Sequence, residues 1–148
     1  MSEKSSIIVV GAGAISSSIT GWIAPKCDNL FLLARGETLE AIKNRGLKSY
    51  LKGERPTATA LPVHAIGSLA EVAPPDVIVI TVKNYDLETT AQDLRTQLGD
   101  HEPIIVALQN GVHNPQVLPR YFTRVVYGVV CYNAWREGPG EVGHESRG

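Results

Sequence analysis

The sequence has no apolar run that could span a bilayer. Its longest runs are about five or six residues, against the ~20 that a membrane-crossing helix needs. Met1-Ser2-Glu3-Lys4 is followed by an apolar stretch of strand length only, which does not make a signal peptide; a cytoplasmic protein is expected. Cysteine is scarce. Cys27 and Cys131 stand far apart and outside any Cys-x-x-Cys pattern, which speaks against a disulfide framework or a thiolate metal site, so each reads as a buried or half-exposed thiol. His64, His101, His113 and His144 lack metal-ligand spacing and read as loop or surface residues, so no metal is expected. There is no excess of either charge: the net charge is -1, 20% of residues are charged, and no basic stripe interleaves with aromatics, so a nucleic-acid partner is not expected. Internal repeats and low-complexity stretches are absent. The 148 residues suffice for one domain with its own core and are too few for two, so residues 1–148 are read as a single domain.

What is present is concentrated in the first seventeen residues. Ile7-Ile8-Val9-Val10 is too apolar for a surface strand and suits a central strand buried on both faces of a parallel sheet. It runs into Gly11-Ala12-Gly13-Ala14-Ile15-Ser16. In a dinucleotide-binding turn the first glycine permits the tight exit from the strand. The second lets the backbone approach a pyrophosphate at the N-terminus of the following helix. Ser16 replaces the third small residue, and its hydroxyl is expected to bond a carbonyl one turn back. Two glycines alone are weak evidence, but here a strand precedes them and an amphipathic pattern follows. Ile15, Ile19, Trp22 and Ile23 recur at helical spacing over residues 14–24, as one buried face, and Pro25 ends the helix.

Leu30-Phe31-Leu32-Leu33-Ala34 reads as the second strand, ending at Arg35-Gly36. In this fold the end of that strand lies beside the adenosine ribose, where a carboxylate accepts from a free 2′-hydroxyl and an arginine accommodates a 2′-phosphate. Arg35, with no acidic residue seen beside it, favours NADP; were the strand two residues longer, Glu37 would take the position and NAD would follow. Residues 38–44 carry Leu39 and Ile42 at helical spacing, with Gly46 as the stop. Residues 47–51 and 58–63 read as two short strands forming an excursion from the parallel alternation. A helical turn over 67–72 leads to the strand 76–82, which delivers Lys83-Asn84-Tyr85-Asp86. The helix 86–98 buries Leu87, Ala91, Leu94 and Leu98, and the strand 103–108 delivers Gln109-Asn110-Gly111. Ligands of open parallel sheets lie beyond the carboxyl ends of strands, so Lys83 and Asn110 are candidates to touch cofactor or substrate; otherwise they are a solvated lysine and a turn asparagine. Asn114-Pro115 reads as an N-cap followed by proline at the first helical position. A strand over 124–132 and a hairpin closing on 141–145 complete the chain. The expected fold is α/β, a Rossmann-type doubly wound and mostly parallel sheet with a short β excursion and a C-terminal hairpin.

Five segments together are far more specific than the glycines: Gly11-Ala12-Gly13-Ala14-Ile15, Ala34-Arg35-Gly36, Thr81-Val82-Lys83-Asn84-Tyr85-Asp86, Leu108-Gln109-Asn110-Gly111 and Gly140-Glu141-Val142-Gly143-His144. On them the chain resembles the N-terminal NADP-binding domain of the ketopantoate reductase (2-dehydropantoate 2-reductase) family along nearly its whole length. The resemblance implies a cytoplasmic oxidoreductase of pantothenate biosynthesis that uses NADP and a small-molecule 2-keto acid; a homodimer is compatible with it. It implies Gly11, Ala12, Gly13, Ala14, Ile15, Ser16, Arg35, Lys83, Gln109 and Asn110 as the cofactor-binding set. Lys83 and Asn110 then line the nicotinamide and substrate end, and Arg35 is the 2′-phosphate contact. In the family a following helical domain carries the lysine general acid and a carboxylate that helps hold substrate. Residues 1–148 are accordingly expected to be the cofactor half, holding no catalytic acid and inactive alone. Two other readings are a non-catalytic NADP-binding sensor or interaction module, and an S-adenosylmethionine methyltransferase. The second is disfavoured because Arg35 would then meet an uncharged ribose hydroxyl.

Overall fold

A computed structural model describes residues 5–146; Met1-Ser2-Glu3-Lys4, read above as lacking a signal peptide, lies outside them. The strands are β1 (Ile7–Val10), β2 (Leu30–Leu33), β3 (Lys48–Leu51), β4 (His64–Ile66), β5 (Val77–Ile80), β6 (Ile104–Ala107), β7 (Val125–Tyr127), β8 (Ala134–Gly138) and β9 (Glu141–His144). The helices are α1 (Ala14–Ile23), α2 (Gly36–Arg45), α3 (Asn84–Leu98) and the single turn α4 (Asn114–Val117). Six strands form one all-parallel sheet in the order β4-β2-β1-β5-β6-β7. Counted within that sheet, this is the 3-2-1-4-5-6 order of a doubly wound fold, whose connections reverse direction between β1 and β5.

The apolar strands are buried on both faces because each face is covered by different elements. Ile8, Val10, Ile78, Ile80, Ile105 and Ala107 point to one side, where they pack against Leu87, Ala91 and Leu94 of α3. Val9, Leu30, Leu32 and Val79 alternate to the other side, against Ile42 of α2 and Val142 of β9. This is the period of two applied to a sheet with no wet face.

Three expectations are corrected. The strand placed over 58–63 is only a single antiparallel bridge, Leu47 to Leu61; pairing resumes at β4, which joins the main sheet beside β2. Pro62 has no N–H to give a ladder, so the strand begins after it. The strand placed over 124–132 ends at Tyr127, because its neighbour β6 ends opposite it at Ala107. The buried face of α1 is not the isoleucine face. Ser16, Ser17, Ser18, Thr20 and Gly21 are the buried residues, and Ile15, Ile19, Trp22 and Ile23 are only half-buried. The helix lies between the main sheet and a second sheet of order β3-β9-β8, and a Cβ on Gly21 would come within 2.7 Å of Ser49 Cβ. Two flanking layers at that distance admit only small side chains, which a search for large apolar residues passes over.

Candidate functional site

The reversal between β1 and β5 opens a cleft at their carboxyl ends, and the glycine turn lies in its centre. Gly11 has φ +107°, a conformation costly for any side chain, and its N–H donates to Leu33 O at 3.1 Å. A Cβ there would press to 3.3 Å from Thr81 Oγ1, whose hydroxyl in turn donates to Val10 O at 3.1 Å. The turn out of β1 is thus fastened to the strand on either side of it.

Gly13 is the N-cap of α1 in extended backbone, with no side-chain cap and no acidic residue in the first turn. The N–H groups of that turn and the positive end of the helix dipole face the cleft uncompensated. A Cβ on Gly13 would meet nothing within 4 Å, so the space in front of these donors is open. Ser16 is buried and donates to Gly13 O at 3.1 Å, the carbonyl one turn back. Its hydroxyl therefore serves the turn, and its backbone N–H is what it offers a ligand. Ala12, Ala14 and Ile15 line the same central cavity of about 580 Å³, together with Lys83, Asn110 and Tyr132.

Towards β2 the cleft continues as a groove of about 330 Å³ between Arg35 and the polar face of α3. β2 stops at Leu33 and Glu37 lies in the first turn of α2; Arg35 lines the groove and Glu37 does not. The expectation that no acidic residue stands there is corrected: Asp93 of α3 meets Arg35, Nη2 to Oδ2 at 3.0 Å. The two are 58 positions apart, so no local window could pair them.

At the other end a pocket of about 170 Å³ is walled by Ile15, Lys83, Gln109, Asn110 and Tyr132. Lys83, the N-cap of α3, is exposed and has no ion-pair partner among the described residues. Asn110 is exposed, and its backbone carbonyl accepts from Asn84 Nδ2 at 2.6 Å, which ties the loops after β5 and β6 together. Gln109 is 8% exposed, and neither its amide nitrogen nor its amide oxygen has a hydrogen-bond partner. Asn114, read as an N-cap, is instead buried inside α4; its Nδ2 donates to Gln109 O at 3.0 Å and holds the loop from below.

Sequence reasoning missed Tyr132, which reaches the cleft from the irregular segment after β7. Its hydroxyl pairs with Ser18 Oγ at 2.8 Å, and its ring packs on Trp22 with centroids 4.7 Å apart. Burial pushes the phenol above its usual 10.0, with the Ser18 bond opposing. Tyr132→Phe should lower stability by about 1 kcal/mol in a urea titration at pH 7. Since burial makes the folded phenol hold its proton more tightly than the unfolded one, this titration leaves stability unchanged below pH 10 and lowers it as pH rises beyond. His144, read as a surface or loop residue, is also corrected: it is 4% exposed and packs edge-on to Trp22. Cys27 is half-buried, whereas Cys131 is exposed rather than covered.

The residues present fit a dinucleotide. Open anion-binding donors lie in the centre, a guanidinium at one end, and an orphaned amide with a free ammonium at the other. Among the described residues no helix is long and apolar enough to cross a membrane. The family model for ketopantoate reductase PanE/ApbA matches residues 7–148. The 2-dehydropantoate 2-reductase of Archaeoglobus fulgidus is 33% identical over 142 residues, which cover 95% of this chain and 44% of that protein. The chain spans less than half the length of the curated relatives it matches. The crystal structure of 2-dehydropantoate 2-reductase from Geobacter metallireducens superposes with a TM-score of 0.81 at 28% identity, covering 95% of this chain and 46% of that one. A ternary structure of D-mandelate dehydrogenase with NADH shares the fold, with a TM-score of 0.80 at 22% identity, covering 95% and 46% of the two chains. With a doubly wound sheet, a glycine turn at its reversal point and a family match along almost the entire sequence, the chain belongs to the ketopantoate reductase family.

Proposed function

We propose that residues 1–148 form the NADP-binding domain of a cytoplasmic NADPH-dependent 2-dehydropantoate 2-reductase, which reduces 2-dehydropantoate to pantoate. The observation that carries this reading is the cleft itself. It runs over the uncapped N-terminus of α1, with Arg35 at one end and Lys83 with Asn110 at the other. The first-turn N–H groups of α1 and the backbone of Gly13 hold the pyrophosphate, a charge-assisted arrangement that an open helix end favours. Arg35 holds the 2′-phosphate. Gln109 offers one donor and one acceptor to the nicotinamide carboxamide, which relieves a buried amide otherwise left unpaired at a cost of about 1–3 kcal/mol per group. When bound, the nicotinamide supplies the hydride. Lys83 attracts the anionic substrate and orients its carboxylate, and Asn110, able to donate and accept at once, fixes its position beside the cofactor.

Titration of the wild type and Arg35→Ala with both cofactors tests the reading. The wild type is expected to bind NADPH more tightly than NADH. Arg35→Ala is expected to lose about 1.5–3 kcal/mol of NADPH binding, roughly ten- to a hundredfold, with NADH little changed. Equal wild-type affinities for the two cofactors, or an unaltered preference in the variant, would rule out the 2′-phosphate assignment.

A further inference from the structure

The groove beside Arg35 is not a simple phosphate site. Asp86 and Asp93 lie seven residues apart on α3, hence on one face of the helix, with Thr90 between them and Gln97 beyond, and all four line the groove. Among the described residues lining it, Arg35 is the sole cation, in a groove that carries these two carboxylates. Its guanidinium is already engaged, Nη2 to Asp93 Oδ2 at 3.0 Å, with side chains 74% and 46% exposed. A phosphate monoester of about -1.5 to -2 charge that reaches for this guanidinium must share it with Asp93 or displace it, and in either case it remains beside that carboxylate. A ribose 2′-hydroxyl meets the opposite situation. It has a proton to donate, and Asp93 presents the carboxylate acceptor that in NAD-binding sheets stands at the end of the second strand.

We infer that Asp93 is a specificity-determining residue that narrows the preference for NADPH over NADH, by occupying Arg35 and by offering an acceptor to an unphosphorylated ribose. This rests on the groove being the adenosine end of the cleft, as proposed above. The carboxylate comes from α3 rather than from the turn after β2 that carries the arginine, so one side of the groove serves each cofactor. Exchange between the two partners is easy, because an exposed ion pair of this kind is held only weakly in water.

The test is a set of dissociation constants for NADPH, NADH, 2′,5′-ADP and 5′-AMP with wild type, Asp93→Asn, Arg35→Ala and the double variant. The asparagine is nearly isosteric and exposed, and a thermal melt of each variant confirms folding. Asp93→Asn should tighten NADPH and 2′,5′-ADP about three- to tenfold and leave NADH and 5′-AMP unchanged or up to about fivefold weaker. The gain should shrink with added salt and fall below about twofold in the Arg35→Ala background. If Arg35→Ala narrows the preference and Asp93→Asn leaves it unchanged, the role of Asp93 is overturned and the phosphate assignment stands. If Arg35→Ala leaves the preference unchanged, the assignment of Arg35 fails and the role of Asp93 fails with it.

Discussion

Gly13→Val is expected to reduce affinity for NADPH more than about 100-fold while leaving the domain folded. The two effects separate because of where the missing side chain would point. A Cβ on Gly13 meets no protein atom within 4 Å, so the fold accommodates it, and Gly13 lines the central cavity together with the first turn of α1, Ala14 to Ser16. A valine there holds the pyrophosphate off the backbone. Each charge-assisted bond lost is worth about 1.5–3 kcal/mol, so two suffice for the predicted loss. The backbone of Gly13, φ -81° and ψ -169°, is extended and suits a β-branched residue. The cost to the fold is the weaker cap, about 1 kcal/mol or less, or about 2–4 °C in a melt. Calorimetric titration beside a circular-dichroism melt separates binding from folding. Retained binding would mean that the pyrophosphate lies elsewhere, and a collapse of the melt would mean that the turn carries the fold.

The second expectation concerns turnover. A polypeptide confined to residues 1–148 should bind NADPH yet show no measurable oxidation of it by 2-dehydropantoate. Lys83 and Asn110 are exposed in its cleft, and Tyr85, Val112 and Val129, close to them or to the pocket lining in sequence, are 81%, 76% and 80% exposed, so water reaches the site freely. The phenol of Tyr132 is engaged with Ser18, and its proton is held more tightly than usual. The resemblance to ketopantoate reductases assigns the proton donor and the facing wall to a helical domain beyond these residues. Positioning of that kind accounts for up to ~7–11 kcal/mol of a barrier, so its loss takes turnover below detection. NADPH absorbance followed with residues 1–148, alone and joined to the helical domain of a longer relative, checks this. Substrate-dependent oxidation by residues 1–148 that survives repurification and disappears in Lys83→Ala would place the general acid inside them and refute the proposed division.

By itself the sequence determined the layered fold and the centre of the cleft. Strands buried on two faces must be written in unbroken apolar residues, and a turn that brings backbone against a ligand must be written in glycine. Both signals are local, so Ile7–Val10 with Gly11 and Gly13, and Val77–Ile80 ahead of Lys83, were identifiable at once. The bond from Ser16 to Gly13 O followed from chain geometry one turn long. Only the tertiary structure decided what distant segments do to one another. Lys48 pairs with Glu141 across most of the chain, and that pairing encloses α1 between two sheets and hands its buried face to serine, threonine and glycine. Folding α3 over the sheet sets Asp93 against Arg35, and the return of the chain after β7 sets Tyr132 against Ser18. No periodicity records such contacts. Each depends on the distance between two elements, and that distance is set by the packing of layers rather than by the residues within either one.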